Sequence, residues 1–225
     1  MPTMDRPPTQ PDARRPGEPL VLPLPAGALV VLVGAAGSGK STFAARHFAP
    51  DEVLSSDALR AAISGDPGNQ RATPAAFRAL HRALDRRLAH GLLTVVDATN
   101  VQGHARRALV ARARAAGAAA IAIVLDLPEE VVLARNAARH GSELVPEPAV
   151  REQLARLAAS LAGDPWSGFA RIVRLGTPGE VDRVRIERLP PAGGGSSEDR
   201  SGSRRVHEDL SGGGEHEGRA EPSAG

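Results

Sequence analysis

Residues 34–41 read Gly-Ala-Ala-Gly-Ser-Gly-Lys-Ser, between an apolar run at 28–33 and a helix-compatible stretch at 41–47. Gly-x-x-x-x-Gly-Lys-Ser in a strand–loop–helix setting is a phosphate-cradling loop, which commits the chain to a buried strand, a tight turn and a helix that begins at the turn. Gly34, Gly37 and Gly39 let successive backbone N–H groups face inward onto phosphate oxygens, and the helix N-terminus adds a favourable potential for an anion. Lys40 reaches the β- and γ-phosphates, and Ser41 ligates Mg²⁺. The Gly-x-x-Gly-x-Gly spacing does not fit the dinucleotide fingerprint.

Composition sharpens this reading. Lys40 is the only lysine in 225 residues, against 27 arginines. Guanidinium and ammonium differ in size and hydration, so the single retained lysine marks a place that needs that group. The net charge is +2 although the pI is 10.2, because a chain without Tyr or Cys and with one Lys has little to titrate at alkaline pH. The absence of cysteine excludes disulfides and thiolate metal sites. No signal peptide and no apolar run of membrane length is apparent, so a cytoplasmic protein with no membrane partner is expected.

Three regions are expected from composition. Residues 1–26 hold eight prolines and one short apolar patch at 20–22, and read as a disordered arm. Residues 191–225 are Gly, Ser and alternating charge, and bury too little to offset the entropy of ordering. Residues 27–190 form one domain, with strands expected at 28–33, 52–54, 92–96, 119–125, 172–175 and 181–186. Helices are expected at 57–63, 73–90, 103–115, 128–140 and 146–161. Continuous apolar strands alternating with helices indicate an α/β fold, a parallel sheet covered on both faces.

In such sheets ligands sit beyond the carboxyl ends of the strands, so polar residues there are the functional candidates. After the second strand comes Ser55-Ser56-Asp57-Ala58-Leu59-Arg60. Asp57 is either a helix cap or a general base beside an Arg60 fork that binds phosphate. After the third strand comes Asp97-Ala98-Thr99-Asn100. Asp97 either holds Mg²⁺ through water or forms the turn, and Asn100 either orients a phosphate or shapes that turn. Arg135 and Arg139, four apart on the helix expected at 128–140, share a face that is either a solvated helix surface or a lid that closes over ATP and neutralises charge as a phosphoryl group moves.

Together these pieces resemble the kinase domain of the bacterial polynucleotide kinase-phosphatase family, which is related to phage polynucleotide kinases. The resemblance covers about residues 28–176. It rests on the loop at 34–42, on Leu54-Ser55-Ser56-Asp57-x-x-Arg60, on Gln70-Arg71-Ala72-Thr73, on Thr94-Val95-Val96-Asp97-Ala98-Thr99-Asn100 and on Arg135-Asn136-Ala137-Ala138-Arg139. It implies a three-layer P-loop kinase with strand order 2-3-1-4-5, and transfer of the γ-phosphate of ATP to a 5′-hydroxyl of DNA or RNA. Asp57 would take the hydroxyl proton, and Arg60 would grip the phosphate 3′ to the terminal nucleoside. Lys40, Arg135 and Arg139 would hold the triphosphate, Ser38 and Thr42 would complete the ATP-binding loop, and Gln70 and Asn100 would lie on the acceptor side. The bacterial enzymes are fused to a phosphatase and a ligase, whereas this sequence has no Gly-Asp-x-His-Gly string.

Two alternatives stand beside this reading. One is a P-loop kinase for a small-molecule hydroxyl, such as a nucleoside, sugar or antibiotic. Four Phe and one Trp offer little surface on which bases could stack. The other is an ATP-binding switch without transfer. A GTPase of the usual type is excluded, because its Asn-Lys-x-Asp motif needs a second lysine.

Overall fold

Every residue of the strand Leu29–Val33 is buried, and its side chains alternate between two cores. The computed structural model describes residues 18–163 and 166–190. In chain order it contains β1 (Leu20–Leu24), β2 (Leu29–Val33), α1 (Lys40–His47), β3 (Val53–Ser55), α2 (Ser56–Ser64), α3 (Thr73–Ala89) and β4 (Thr94–Asp97). There follow α4 (Gly103–Ala115), β5 (Ala120–Leu125), α5 (Glu129–Ala137), α6 (Glu147–Ala162), β6 (Arg171–Leu175), α7 (Pro178–Arg183) and β7 (Val184–Arg188). Five strands form a wholly parallel sheet in the order β3-β4-β2-β5-β6. Counted from the P-loop strand as the first, this is the expected 2-3-1-4-5.

The period-two alternation of β2 builds the three layers. Leu29, Val31 and Val33 face Leu80, Leu84 and Leu88 of α3 and Leu109, Val110 and Ala113 of α4. Val30 and Leu32 face the opposite way, toward Phe43 and Ala44 of α1 and toward Leu22 and Leu24 of β1. All parallel strands point their carboxyl ends the same way, so the loops after β2, β3 and β4 share one edge.

The chain departs from expectation at both ends of the domain. Residues 20–24 belong to the core: β1 pairs in parallel with β7, and Leu22 and Leu24 are each 1% exposed. Pro19, Pro23 and Pro25 obscure the strand in the sequence. A two-stranded ribbon has free edges on both sides, which is where a proline lacking its N–H is tolerated. Residues 1–17 and 191–225 lie outside the described residues. Leu24→Ala is expected to destabilise the protein by about 2–5 kcal/mol, the cost of emptying a buried leucine site. An unchanged denaturation midpoint would show that the β1–β7 pair is not part of the core.

The strand expected at 181–186 is split between α7 and β7. Thr177 Oγ1 accepts from the Glu180 N–H at 3.1 Å and Glu180 Oε2 accepts from the Thr177 N–H at 3.1 Å, which starts a helix where an apolar alternation suggested a strand.

Candidate active site

The loop between β2 and α1 has the shape that its glycines permit. A Cβ on Gly34 would lie 2.6 Å from Ser38 Oγ, and one on Gly37 would lie 2.5 Å from the Val132 carbonyl of α5. Gly37 also takes a φ of 86°, open to glycine at no steric cost. Gly39 starts α1 in the left-handed conformation, and no side chain caps the helix or places an acid in its first turn. The first N–H groups of α1 are therefore left for an anion. Ser38 Oγ is buried without a partner. An open N-terminus, an unpaired buried hydroxyl and a buried ammonium fit a nucleotide's phosphates.

Lys40 is 8% exposed, and its Nζ donates to the Ala35 carbonyl at 2.8 Å. Burial pulls its pKa from 10.5 to about 8; Asp97 and Asp57 oppose the fall and Arg139 adds to it. These four groups thus share one electrostatic neighbourhood. The unfolded chain holds the Lys40 proton up to its ordinary pKa, whereas the folded chain releases it near 8. Between those values the unfolded state binds more protons, so stability rises with pH. Denaturant midpoints of the ligand-free protein are expected to climb from about pH 8 to about pH 9.5, and Lys40→Met to remove that climb. A flat wild-type profile would contradict the burial of a charged Lys40.

Ser41 Oγ donates to Asp97 Oδ2 at 2.7 Å, across the gap between α1 and the end of β4. Asp97 is 6% exposed; burial raises its pKa, while the Ser41 hydrogen bond and Lys40 pull it back. A hydroxyl and a carboxylate side by side, next to a phosphate cradle, form the sparse oxygen-only set that Mg²⁺ takes from a protein. Asp97 therefore faces the loop, as a metal-holding acid would.

Of the two roles expected for Asn100, a phosphate contact or the shaping of a turn, the structure displays the second. Its Nδ2 donates to the Leu32 carbonyl at 2.8 Å and to the Ala98 carbonyl at 3.3 Å, it is 4% exposed, and it takes a φ of 49°. It is the one described non-glycine residue in the left-handed region, and its amide fastens the turn after β4 to the strand that enters the loop. Beneath it lies Arg106, wholly buried, with Nη1 on the Asn100 carbonyl at 2.7 Å and its guanidinium 4.1 Å from the centroid of the Trp166 ring. Burial lowers the Arg106 pKa to about 10. Sequence reasoning missed this support, although Arg106, Leu109, Val110 and Ala113 follow the i, i+3, i+4, i+7 spacing of an inward stripe.

At the start of α2, Ser55 rather than Asp57 caps the helix, accepting from the Ala58 N–H at 3.3 Å. Asp57 is left with a side chain 63% exposed, ion-paired to Arg60 and accepting from Ser56 Oγ at 3.1 Å. Arg60 is held more firmly: its side chain is 14% exposed and its Nε donates to the Pro67 carbonyl at 2.7 Å. Gln70 falls in the 3₁₀ turn Gln70–Ala72, and its side chain is outside those described.

Arg135 and Arg139 close the opposite side. α5 ends at Ala137, so Arg139 follows the helix instead of sharing its face. Asn136 ends the helix: its Nδ2 donates to the Val145 carbonyl at 2.7 Å and its Oδ1 accepts from the Val145 N–H at 3.3 Å, which draws residues 137–145 into a closed loop. Both arginines nonetheless line one cavity of about 330 Å³ with Gly37, Ser38, Gly39 and Thr42. Its far wall is Arg46, Pro178, Val181 and Asp182, with Arg46 Nη1 donating to Asp182 Oδ1 at 2.7 Å. This wall was legible only as the Thr177-Pro178-Gly179-Glu180 helix start after the last sheet strand.

The family model for the AAA domain AAA_33 matches residues 29–163, more than half of the chain and nearly the whole of this site. The chain belongs to the AAA_33 family. None of the curated proteins matches it by sequence. Among solved structures, this AAA domain is similar to a chain of the Pnkp1/Rnl/Hen1 RNA repair complex, at 24% identity and a TM-score of 0.52, over 61% of this chain and 45% of that one. It thus spans less than half the length of that relative. It is also similar to a sugar kinase from Janibacter sp. HTCC2649, at 23% identity and a TM-score of 0.47, over 69% and 91% of the two chains. A third is the APS kinase of Mycobacterium tuberculosis with AMPPNP and APS, at 22% identity and a TM-score of 0.42, over 71% and 94%. The fold is a parallel α/β sheet covered on both faces, with a P-loop after its central strand, and among the described residues no helix is long and apolar enough to cross a membrane.

Proposed function

We propose that this chain transfers the γ-phosphate of ATP to the 5′-hydroxyl of a DNA or RNA end. The observation that carries the reading is the Asp57–Arg60 pair on the first turns of α2, an exposed carboxylate beside an anchored guanidinium, with Asp57 in the electrostatic field of Lys40. Asp57 takes the proton of the acceptor hydroxyl as its oxygen bonds to the γ-phosphorus, and the bond from that phosphorus to the β–γ bridging oxygen breaks to release ADP. Lys40 holds the β- and γ-phosphates from the loop side, and Arg135 and Arg139 meet the charge from the lid side. Ser41 and Asp97 would hold Mg²⁺, which neutralises phosphate charge when bound. Arg60, tethered through Nε, has guanidinium N–H groups left to grip the phosphate 3′ to the terminal nucleoside.

Arg60→Ala is expected to weaken acceptor binding by about 1.5–3 kcal/mol, the range for hydrogen bonds to charged groups. The loss should appear in KM for a 5′-OH oligonucleotide or a 3′-phosphorylated nucleoside and leave KM for ATP unchanged. Equal wild-type activity on a nucleoside with and without its 3′-phosphate would overturn the polynucleotide acceptor.

A second reading, a small-molecule acceptor, is favoured by one observation. Of the five aromatic side chains, Phe43, Phe48 and Trp166 are buried and Phe77 and Phe169 are half-buried against a core, which leaves little aromatic surface to stack a base. A polynucleotide would then be held by arginines, and its KM would rise steeply with salt. A salt-insensitive KM for the true acceptor selects the small molecule.

A further inference from the structure

The peptide group between Ala35 and Ala36 is held from both sides. Its carbonyl accepts from Lys40 Nζ at 2.8 Å, and its N–H donates to Gln153 Oε1, also at 2.8 Å. Gln153 belongs to α6, far from the loop in sequence, and nothing in its surroundings there singled it out. The tertiary fold brings it in: Ala35 and Ala36 pack with Leu127, Val132 and Val150, and Leu154 lies against that cluster. Gln153 falls between Val150 and Leu154 on the helix, so the apolar contacts on either side aim its amide at the loop.

We infer that Gln153 is a positioning residue for Lys40, acting through the Ala35–Ala36 peptide. A peptide unit is rigid and planar, so fixing its N–H fixes the direction of its carbonyl. Accepting from that N–H also polarises the unit and makes its oxygen a stronger acceptor for the ammonium. The lysine side chain has four rotatable carbons and large rotamer freedom, and the Ala35 carbonyl is the hydrogen-bond partner that the structure gives its Nζ. Ala36 is 7% exposed, so without Gln153 its N–H has no ready access to water, and the peptide is free to turn toward another acceptor. The ammonium then loses its anchor. α6 is joined to α5 by Arg151, which pairs with Glu129 and with Glu147. One helix pair therefore carries the lid arginine Arg135 and the residue that sets the loop lysine. The inference rests on Lys40 as the phosphate-binding cation and does not depend on the acceptor.

The sequence provides an unusual probe, because the full chain contains a single lysine. Labelled with ε-¹³C lysine, it gives one side-chain signal, which reports the Lys40 environment without any enzymatic turnover. In the wild type that signal is expected to lie away from the free-lysine position, with inequivalent ε-methylene protons. Gln153→Met keeps the length and removes the acceptor, so the signal should move toward the free-lysine position and kcat should fall about tenfold or more. Gln153→Glu keeps an acceptor oxygen and should restore the wild-type signal and bring kcat to within about threefold of wild type. Gln153→Asn keeps the amide but is one methylene short. It should behave like the Met variant, and it decides the matter if the Met variant fails to fold. In a Lys40→Met background, Gln153→Met should change ATP binding no further, because the two residues act as one unit. A wild-type-like Lys40 signal in the folded Met or Asn variant, or fully additive losses in the double variant, would overturn the inference. A shifted signal in a protein that transfers no phosphate to any acceptor would uphold Gln153 and overturn the proposed function instead.

Discussion

Lys40→Arg is expected to reduce phosphate transfer by at least about 10²–10³-fold with the fold intact, the range for removing one preorganised charge-stabilising donor. The substitution keeps the positive charge, so it isolates shape and hydration. Lys40 sits 8% exposed inside the loop, with Nζ 2.8 Å from the Ala35 carbonyl. A guanidinium is planar, wider and more weakly hydrated, and it cannot replace a compact ammonium between two phosphates without displacing the loop. Lys40→Met, which lacks the charge as well, should lose at least as much. Circular dichroism melting of both variants checks that folding is preserved. Near-wild-type transfer by Lys40→Arg would remove the argument that the chain's only lysine is there for its chemistry.

Asp57→Asn should lower turnover by about 10²–10⁴-fold and leave ATP affinity nearly unchanged, as expected when a positioned general base is removed. The amide cannot take a proton. The structure makes this a clean test, because Ser55 caps α2, so the helix keeps its cap when Asp57 is changed. Arg60 loses its ion pair but keeps its Nε bond to the Pro67 carbonyl. Rapid-quench measurement of transfer alongside equilibrium ATP binding separates the two effects. Collapse of ATP binding with undiminished turnover per bound ATP would make Asp57 a structural or metal-linked residue.

The parts of the site that could be read in the sequence are those whose chemistry is local. The loop at 34–41 needs its glycines, lysine and serine within one turn, so its spacing is its signature. Asp57 follows β3 by two residues and Asp97 ends β4, and in a parallel sheet those positions bring both to the edge formed by the strands' carboxyl ends. Helices α3, α4 and α6 were expected within two residues of their observed bounds, because periodicity, first-turn prolines and terminal glycines are local signals.

What escaped depends on partners distant in sequence. β1 is a strand because β7 arrives beside it at the other end of the domain. Arg139 leaves the helix because Asn136 finds Val145. Asn100 braces the turn because the Leu32 carbonyl and Arg106 are there to hold it.

By itself, then, the sequence determined the layered α/β class and the glycine loop with its single lysine, since backbone periodicity and a short glycine motif act over a few residues. Only the tertiary structure decided which polar side chains face the ligand and which brace the loop. A side chain's role depends on the donors and acceptors within about 3 Å of it, and for Asn100 and Gln153 those partners come from elsewhere in the fold.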